Sequence, residues 1–151
     1  MRKGGVTDNE SVKWSPDYPL FNTKQHLEVS GKPGVYRIRA FAEHGKPLPI
    51  PRFGGVDPLG ILHIGKSKNL GARIRMFRQA AEGLKASHHA GIEFFEWNFD
   101  KIAPRERLRF DYFETSSERE ALKLERLLHE EYRKEFFDRP PLDGTSGQAG
   151  K

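Results

Sequence analysis

Residues 44–60 contain four prolines and four glycines, and this segment constrains the fold more than any other part of the chain. Proline has no amide hydrogen to donate, and glycine weakens the interiors of helices and strands, so we predict a long loop without regular structure. The runs on either side are typical of strands. Val35–Phe41 alternates with a period of two, and Ile61–Ile64 is a short apolar run between glycines. We expect the loop to connect the two strands as a long hairpin, so that they pair antiparallel.

The rest of the chain predicts a third strand and three helices. Arg107–Glu114 alternates and is rich in residues that favour strands. Asn69 is a suitable N-cap for a helix whose apolar residues then recur every three or four positions. For residues 90–98 a helix is favoured over a strand. The final helix is marked most clearly, because residues 117–120 form a capping box and the prolines at 140–141 end the helix.

The absence of cysteine excludes several kinds of chemistry. Without a thiol there is no disulfide framework, no cysteine-ligated zinc or iron–sulfur cluster and no thiol nucleophile. No apolar stretch approaches the ~20 residues that a membrane-spanning helix needs. We therefore expect a cytoplasmic protein with no membrane partner, and the sequence leaves its oligomeric state open.

Basic residues are concentrated in one part of the chain. The formal net charge is +5, and five basic residues and no acidic ones lie between positions 66 and 78: Lys66, Lys68, Arg73, Arg75 and Arg78. A stretch of this kind indicates a surface that binds phosphates, and the alternative is a solvated helix face.

Gly60–Ser67 satisfies the spacing of a P-loop, with two glycines separated by four residues and followed by lysine and serine. A P-loop has its strand before the first glycine, and the intervening residues form the loop that wraps the phosphates. Here the intervening residues are the ones that favour a strand. Nucleotide hydrolysis is therefore only a distant alternative.

Glu125 lies on the apolar face of the final helix. At about 100° per residue its side chain falls between those of Tyr132 and Phe136. A carboxylate on a buried face needs a cation, a metal or hydrogen bonds, because an unpaired buried charge costs several kcal/mol. The residues alone leave two interpretations open, a structural ion pair, for which Arg73 is a candidate, and a metal ligand.

Four segments in this order resemble the GIY-YIG nuclease domain. They are Gly34–Tyr36, Leu62–Lys66, Asn69 to Arg73, and Glu120–Glu125. The chain is similar in these segments to the nuclease domain of the bacterial excision-repair incision subunit and to GIY-YIG restriction and homing endonucleases. The resemblance covers about residues 33–143.

The resemblance implies a fold, and the polar, aperiodic character of the first 30 residues indicates an arm before it. We expect an α+β domain with a small, mainly antiparallel three-stranded sheet flanked by helices. An N-terminal arm is expected at 1–30, the nuclease-like domain at 31–143 and a flexible tail at 144–151.

The resemblance also implies hydrolysis of DNA phosphodiester bonds with one divalent metal ion, Mg²⁺ or Mn²⁺, and RNA remains open as a substrate. In this interpretation Tyr36 holds or deprotonates the attacking water, Arg73 and Lys66 neutralise charge on the scissile phosphate, and Glu125 binds the metal. His63 would assist in proton transfer. The expected nucleic-acid-binding residues are Lys68, Arg75 and Arg78.

The sequence departs from the family pattern at three positions. His63 stands in place of the tyrosine of the second motif, Phe77 lies where relatives often carry tyrosine or histidine, and Asp143 takes the place of a late asparagine. Phe77 has no proton chemistry to offer. The alternative function is therefore a catalytically inactive nucleic-acid-binding or scaffold module of the same fold. We predict that the neighbouring His88 and His89 are surface residues.

Overall fold

The computed structural model describes residues 12–144, which form an α+β fold around an antiparallel sheet. The order of strands in this sheet is β1-β6-β2-β5, so it is four-stranded rather than three-stranded as predicted. The three predicted strands are all present, and the fourth is the two-residue strand β1, which pairs with the outer edge of β6. The strands are β1 (Tyr18–Pro19), β2 (Gly34–Ala40), β3 (Ile50–Arg52), β4 (Gly55–Asp57), β5 (Ile61–Ser67) and β6 (Leu108–Glu114). The helices are α1 (Thr23–Glu28), α2 (Leu70–Ala81), α3 (His89–Glu96) and α4 (Glu118–Phe136), with two short 3₁₀ turns between α3 and β6.

The segment before β2 is more regular than its sequence suggests. Ser15 donates its amide hydrogen to the Tyr112 carbonyl, which aligns residues 15–19 with β6. Asn22 then caps α1 by accepting a hydrogen bond from the amide of Lys24. Both contacts use polar groups rather than a periodic apolar pattern, so hydrophobic periodicity could not predict them.

The prediction that residues 44–60 lack regular structure is wrong in part. Strands β3 and β4 pair antiparallel within this segment and form a small separate sheet. The carboxylate of Asp57 anchors it, accepting hydrogen bonds from the amides of Leu59 and Ile61 and from the hydroxyl of Tyr132 on α4. Burial raises the pKa of Asp57, and these three donors lower it. The hairpin therefore depends on a contact with a helix far along the chain.

The main sheet is covered on both faces. Helices α1, α2 and α3 cover the face that carries Tyr36 and Ile38, and α4 covers the face that carries Val35 and Ile64. One half of the predicted capping box is confirmed at the start of α4, where Ser117 accepts a hydrogen bond from the amide of Glu120, whereas the Glu120 carboxylate pairs with Lys123. Within residues 12–144 no helix is long and apolar enough to span a membrane.

Candidate active site

Residues predicted to be catalytic come together near the end of β5, although they lie on four different elements. The phenol of Tyr36 on β2 lies 3.0 Å from the imidazole Nε2 of His63 on β5. The cation of Arg73 on α2 lies close enough to Tyr36 to lower the pKa of its phenol. The cation of Lys66 at the end of β5 likewise lowers the pKa of the Glu125 carboxyl on α4. The site therefore joins the two faces of the sheet around the edge strand β5.

Regular alternation places His63 on the face of the sheet that carries Tyr36, because Gly65 pairs with Tyr36 and His63 pairs with Ile38 in an unbroken register. A β-bulge follows directly: Arg39 pairs with Ile61, so Leu62 is an extra residue in β5. Leu62 therefore shares the face of His63, and Ile61 turns toward α4.

Gly65 lies directly opposite Tyr36 in the sheet. A β-carbon at this position would lie 2.7 Å from both the hydroxyl oxygen and the Cζ of Tyr36, and 2.8 Å from Nε2 of His63. No side chain fits in this space without displacing the phenol or the imidazole. The glycine therefore allows β5 to pass close to the Tyr36 hydroxyl.

Two imidazoles contact the Tyr36 hydroxyl. The phenol is buried, and its oxygen lies 2.7 Å from Nε2 of His88 and 3.0 Å from Nε2 of His63. Burial raises the pKa of the Tyr36 phenol, because the ionised form loses its hydration, whereas the neighbouring Arg73 cation lowers it. Tyr36 is therefore held as a neutral phenol with defined hydrogen-bond partners.

The prediction that His88 lies on the surface is wrong. Its side chain is 1% exposed, and it forms the N-cap of α3 by accepting a hydrogen bond from the amide of Gly91. Phe77 covers it, with the two ring centroids 5.2 Å apart, and Phe77 also stacks on His63 at 6.1 Å. The adjacent His89 is exposed, as predicted. His88 therefore brings an imidazole into the site from the start of α3. Phe77 on α2 contributes only an apolar ring.

Asp143 orients His63 from the other side. Its Oδ1 lies 2.5 Å from Nδ1 of His63, and its Oδ2 accepts a hydrogen bond from the amide of Ile64 at 3.0 Å. The carboxylate is fully buried. The sequence marked Asp143 only as a departure from a family pattern, because nothing local relates it to a histidine 80 residues earlier.

Glu125 is a half-buried carboxylate without a direct partner. Among residues 12–144 it forms no hydrogen bond and no ion pair, so the structural pair with Arg73 is not formed. Burial raises the pKa of the Glu125 carboxyl, and the cationic forms of His129 and His63 lower it. His129, one turn further along α4, donates from Nε2 to the Ile64 carbonyl.

The two predicted phosphate-binding cations are already positioned by other groups. Arg73 donates a hydrogen bond to the Ser87 carbonyl at 3.0 Å, which holds its guanidinium beside the loop before α3. Lys66 forms an ion pair with Glu118 at 3.0 Å, and both side chains are partly exposed. Both cations therefore lie where a ligand can reach them from solvent.

Two of the three predicted nucleic-acid-binding residues, Arg75 and Arg78, do not share one surface with Arg73. At about 100° per residue, Arg75 and Arg78 lie about 200° and 140° around α2 from Arg73. Arg78 forms an ion pair with Glu82 at 3.1 Å. The cations of Arg75 and Arg78 both lower the pKa of the buried His26 on α1. Lys68 is exposed in the turn before α2. The basic stretch is therefore divided between the candidate site and the side of the molecule near α1.

Comparison with known proteins finds no family model, no curated protein and no solved structure that matches this chain.

Proposed function

We propose that this protein is a metal-dependent endonuclease that hydrolyses phosphodiester bonds in DNA. One observation carries the proposal. A phenol, an imidazole, a guanidinium, an ammonium and a half-buried carboxylate converge from β2, β5, α2 and α4 on one edge of the sheet. Hydrolysis of a phosphodiester needs a group that takes a proton from water and cations that stabilise negative charge, and this set contains both.

The carboxylate of Glu125 fits a Mg²⁺ or Mn²⁺ ion. It is partly desolvated, its pKa is raised, and no described residue pairs with it directly, so a cation beside it would favour its charged form. No group of three or more histidine, aspartate or glutamate side chains within residues 12–144 is arranged to hold a metal. A site with a single carboxylate suits Mg²⁺, which retains most of its waters when it binds. When bound there, the ion would neutralise charge on the phosphate.

The other side chains would act on water and phosphate. The Tyr36 oxygen accepts a hydrogen bond from the attacking water and orients it. Arg73 and Lys66 contact the non-bridging phosphate oxygens, and Lys66 exchanges Glu118 for the phosphate as the substrate binds. The attraction between these two cations and the phosphate increases as negative charge develops in the transition state. The cations therefore accelerate the reaction rather than only tightening substrate binding.

The substrate is assigned from charge. The net charge of +5 and the cations of Lys66 and Arg73 at the site suit a polyanion with a phosphate in each repeating unit. Cations at the site face solvent, so a chain much longer than a nucleotide can approach them.

The test is an incubation of the purified protein with supercoiled plasmid DNA, and separately with RNA, in Mg²⁺, in Mn²⁺ or in chelator. We expect nicked or linear DNA with either metal and intact DNA with chelator. Glu125→Gln should remove cleavage, whereas Glu96→Gln, an exposed control at the end of α3, should leave it unchanged.

Two results would contradict the proposal. Cleavage that persists in Glu125→Gln would exclude Glu125 as the metal ligand. Binding of DNA without cleavage under any of these conditions would instead support the alternative, an inactive nucleic-acid-binding or scaffold module.

A further inference from the structure

The tautomer of His88 is determined by the start of α3. Burial lowers the pKa of the His88 imidazole, and the Arg73 cation acts in the same direction, so the ring is neutral. A neutral imidazole has one nitrogen that donates and one that accepts. Nδ1 accepts from the Gly91 amide at 3.3 Å, and the single ring proton is therefore on Nε2.

The remaining hydrogen bonds then have only one consistent direction. Nε2 of His88 donates to the Tyr36 oxygen at 2.7 Å, so the Tyr36 hydroxyl hydrogen must point to its other neighbour. That neighbour is Nε2 of His63 at 3.0 Å, which accepts. His63 consequently carries its own proton on Nδ1 and donates it to Asp143 at 2.5 Å. The chain runs from a backbone amide through three side chains to a buried carboxylate.

We propose that His88 is a positioning residue that directs the Tyr36 proton toward His63, so that the Tyr36 oxygen can take a proton from the attacking water. This inference deepens the proposed function and depends on it for the effect on turnover. A phenolic oxygen has two acceptor positions. His88 occupies one of them. The Arg73 side chain, which also lies beside the phenolic oxygen, must turn toward the phosphate to leave the second position to water.

The proton transfers balance. One O–H bond of water breaks and its proton joins the Tyr36 oxygen, while the Tyr36 proton moves to Nε2 of His63. The hydroxide oxygen forms a bond to phosphorus, and the bond from phosphorus to the leaving oxygen breaks. The leaving oxygen takes a proton from solvent, and the His63 imidazolium later returns its proton to solvent. Asp143 stabilises that imidazolium, and Tyr36 ends as the neutral phenol it was.

The inference is tested with His88→Asn. Asparagine is a favoured N-cap, so it can still accept from the Gly91 amide and preserve α3. Its side chain is too short to reach Tyr36, and the donor to the phenol is lost. The matched control is His44→Asn, which changes an exposed histidine in the turn after β2.

The first measurement does not depend on catalysis. Long-range ¹H–¹⁵N spectra of the imidazole rings, assigned with the two variants, should show His88 protonated on Nε2 and His63 protonated on Nδ1 at neutral pH. A proton on Nδ1 of His88, or on both of its nitrogens, would overturn the inference.

The second measurement is turnover. If the wild-type protein cleaves DNA, His88→Asn should lower kcat by about 100-fold, at the lower end of what general acid–base catalysis contributes. KM and the unfolding temperature should stay close to those of His44→Asn. An unchanged kcat in His88→Asn would overturn the role of His88. If the wild-type protein cleaves no nucleic acid but the spectra are as expected, the nuclease proposal fails and the direction of the hydrogen bonds stands.

Discussion

Replacing Gly65 with alanine tests the geometry of the site most directly. The new β-carbon would lie 2.7 Å from the Tyr36 hydroxyl and ring, whereas ordinary contact begins at 3.4 Å, so one group must move by several tenths of an ångström. The phenol is enclosed, and a backbone strand holds the other side of the contact. Inserting one methyl group into such packing costs about 1–3 kcal/mol, which corresponds to an unfolding temperature lower by roughly 2–12 °C.

The same displacement should affect catalysis more strongly than stability. Misplacing a reacting group by about 1 Å can reduce a rate on the order of 100-fold, and both proton-carrying side chains lie against the new methyl group. We expect Gly65→Ala to lose plasmid cleavage by about that factor.

Unfolding followed by circular dichroism, and nicking of supercoiled DNA, measure the two effects. The matched control is Gly144→Ala, because a β-carbon at Gly144 meets no atom within 4 Å. If Gly65→Ala unfolds at the wild-type temperature and cleaves at the wild-type rate, Tyr36 and His63 do not lie beneath β5 as described.

Three further predictions concern charged groups. The raised pKa of Glu125 means that folding disfavours its ionised form, so Glu125→Gln should unfold at the wild-type temperature or above it at neutral pH; a lower temperature would indicate a stabilising ion pair. Arg73→Ala should lower kcat in nicking assays far more than it lowers DNA affinity in filter binding, whereas Lys68→Ala should lower only affinity and its salt dependence; equal losses of kcat in the two variants would contradict this. Burial lowers the pKa of His26 from 6.5 to about 4, so the unfolded chain binds the extra proton and stability should fall as pH decreases from 6.5 to 4. Urea unfolding across this pH range should show that the stability of His26→Gln depends less on pH than that of the wild type. An equal pH dependence in the two proteins would exclude His26 as its source.

Part of the candidate site could be predicted from the sequence. Placement on an apolar helix face indicates Glu125, whereas Tyr36, Lys66 and Arg73 are expected only from the resemblance to a nuclease family. The structure brings all four to one edge of the sheet. Their chemical roles remain predictions. His88 was missed because its burial depends on Phe77 and its partner is Tyr36, 52 residues earlier.

The sequence by itself determined the elements whose stabilising contacts are local. Helix α4 begins at its capping box and ends before the prolines, and β2 and β6 follow an alternation visible within seven residues. Such signals act between residues a few positions apart, so a short window contains them.

Only the tertiary structure decided the features that join distant segments. The bulge at Leu62 depends on the pairing of β5 with β2, and the β3–β4 hairpin depends on a hydrogen bond between Asp57 and Tyr132 on α4. The partners of His63, Tyr36 and Asp143, are likewise brought to it by chain folding. The hairpin and the His63 contacts each place a polar group where its partner lies tens of residues away, and a buried polar group is stable only when that partner is present.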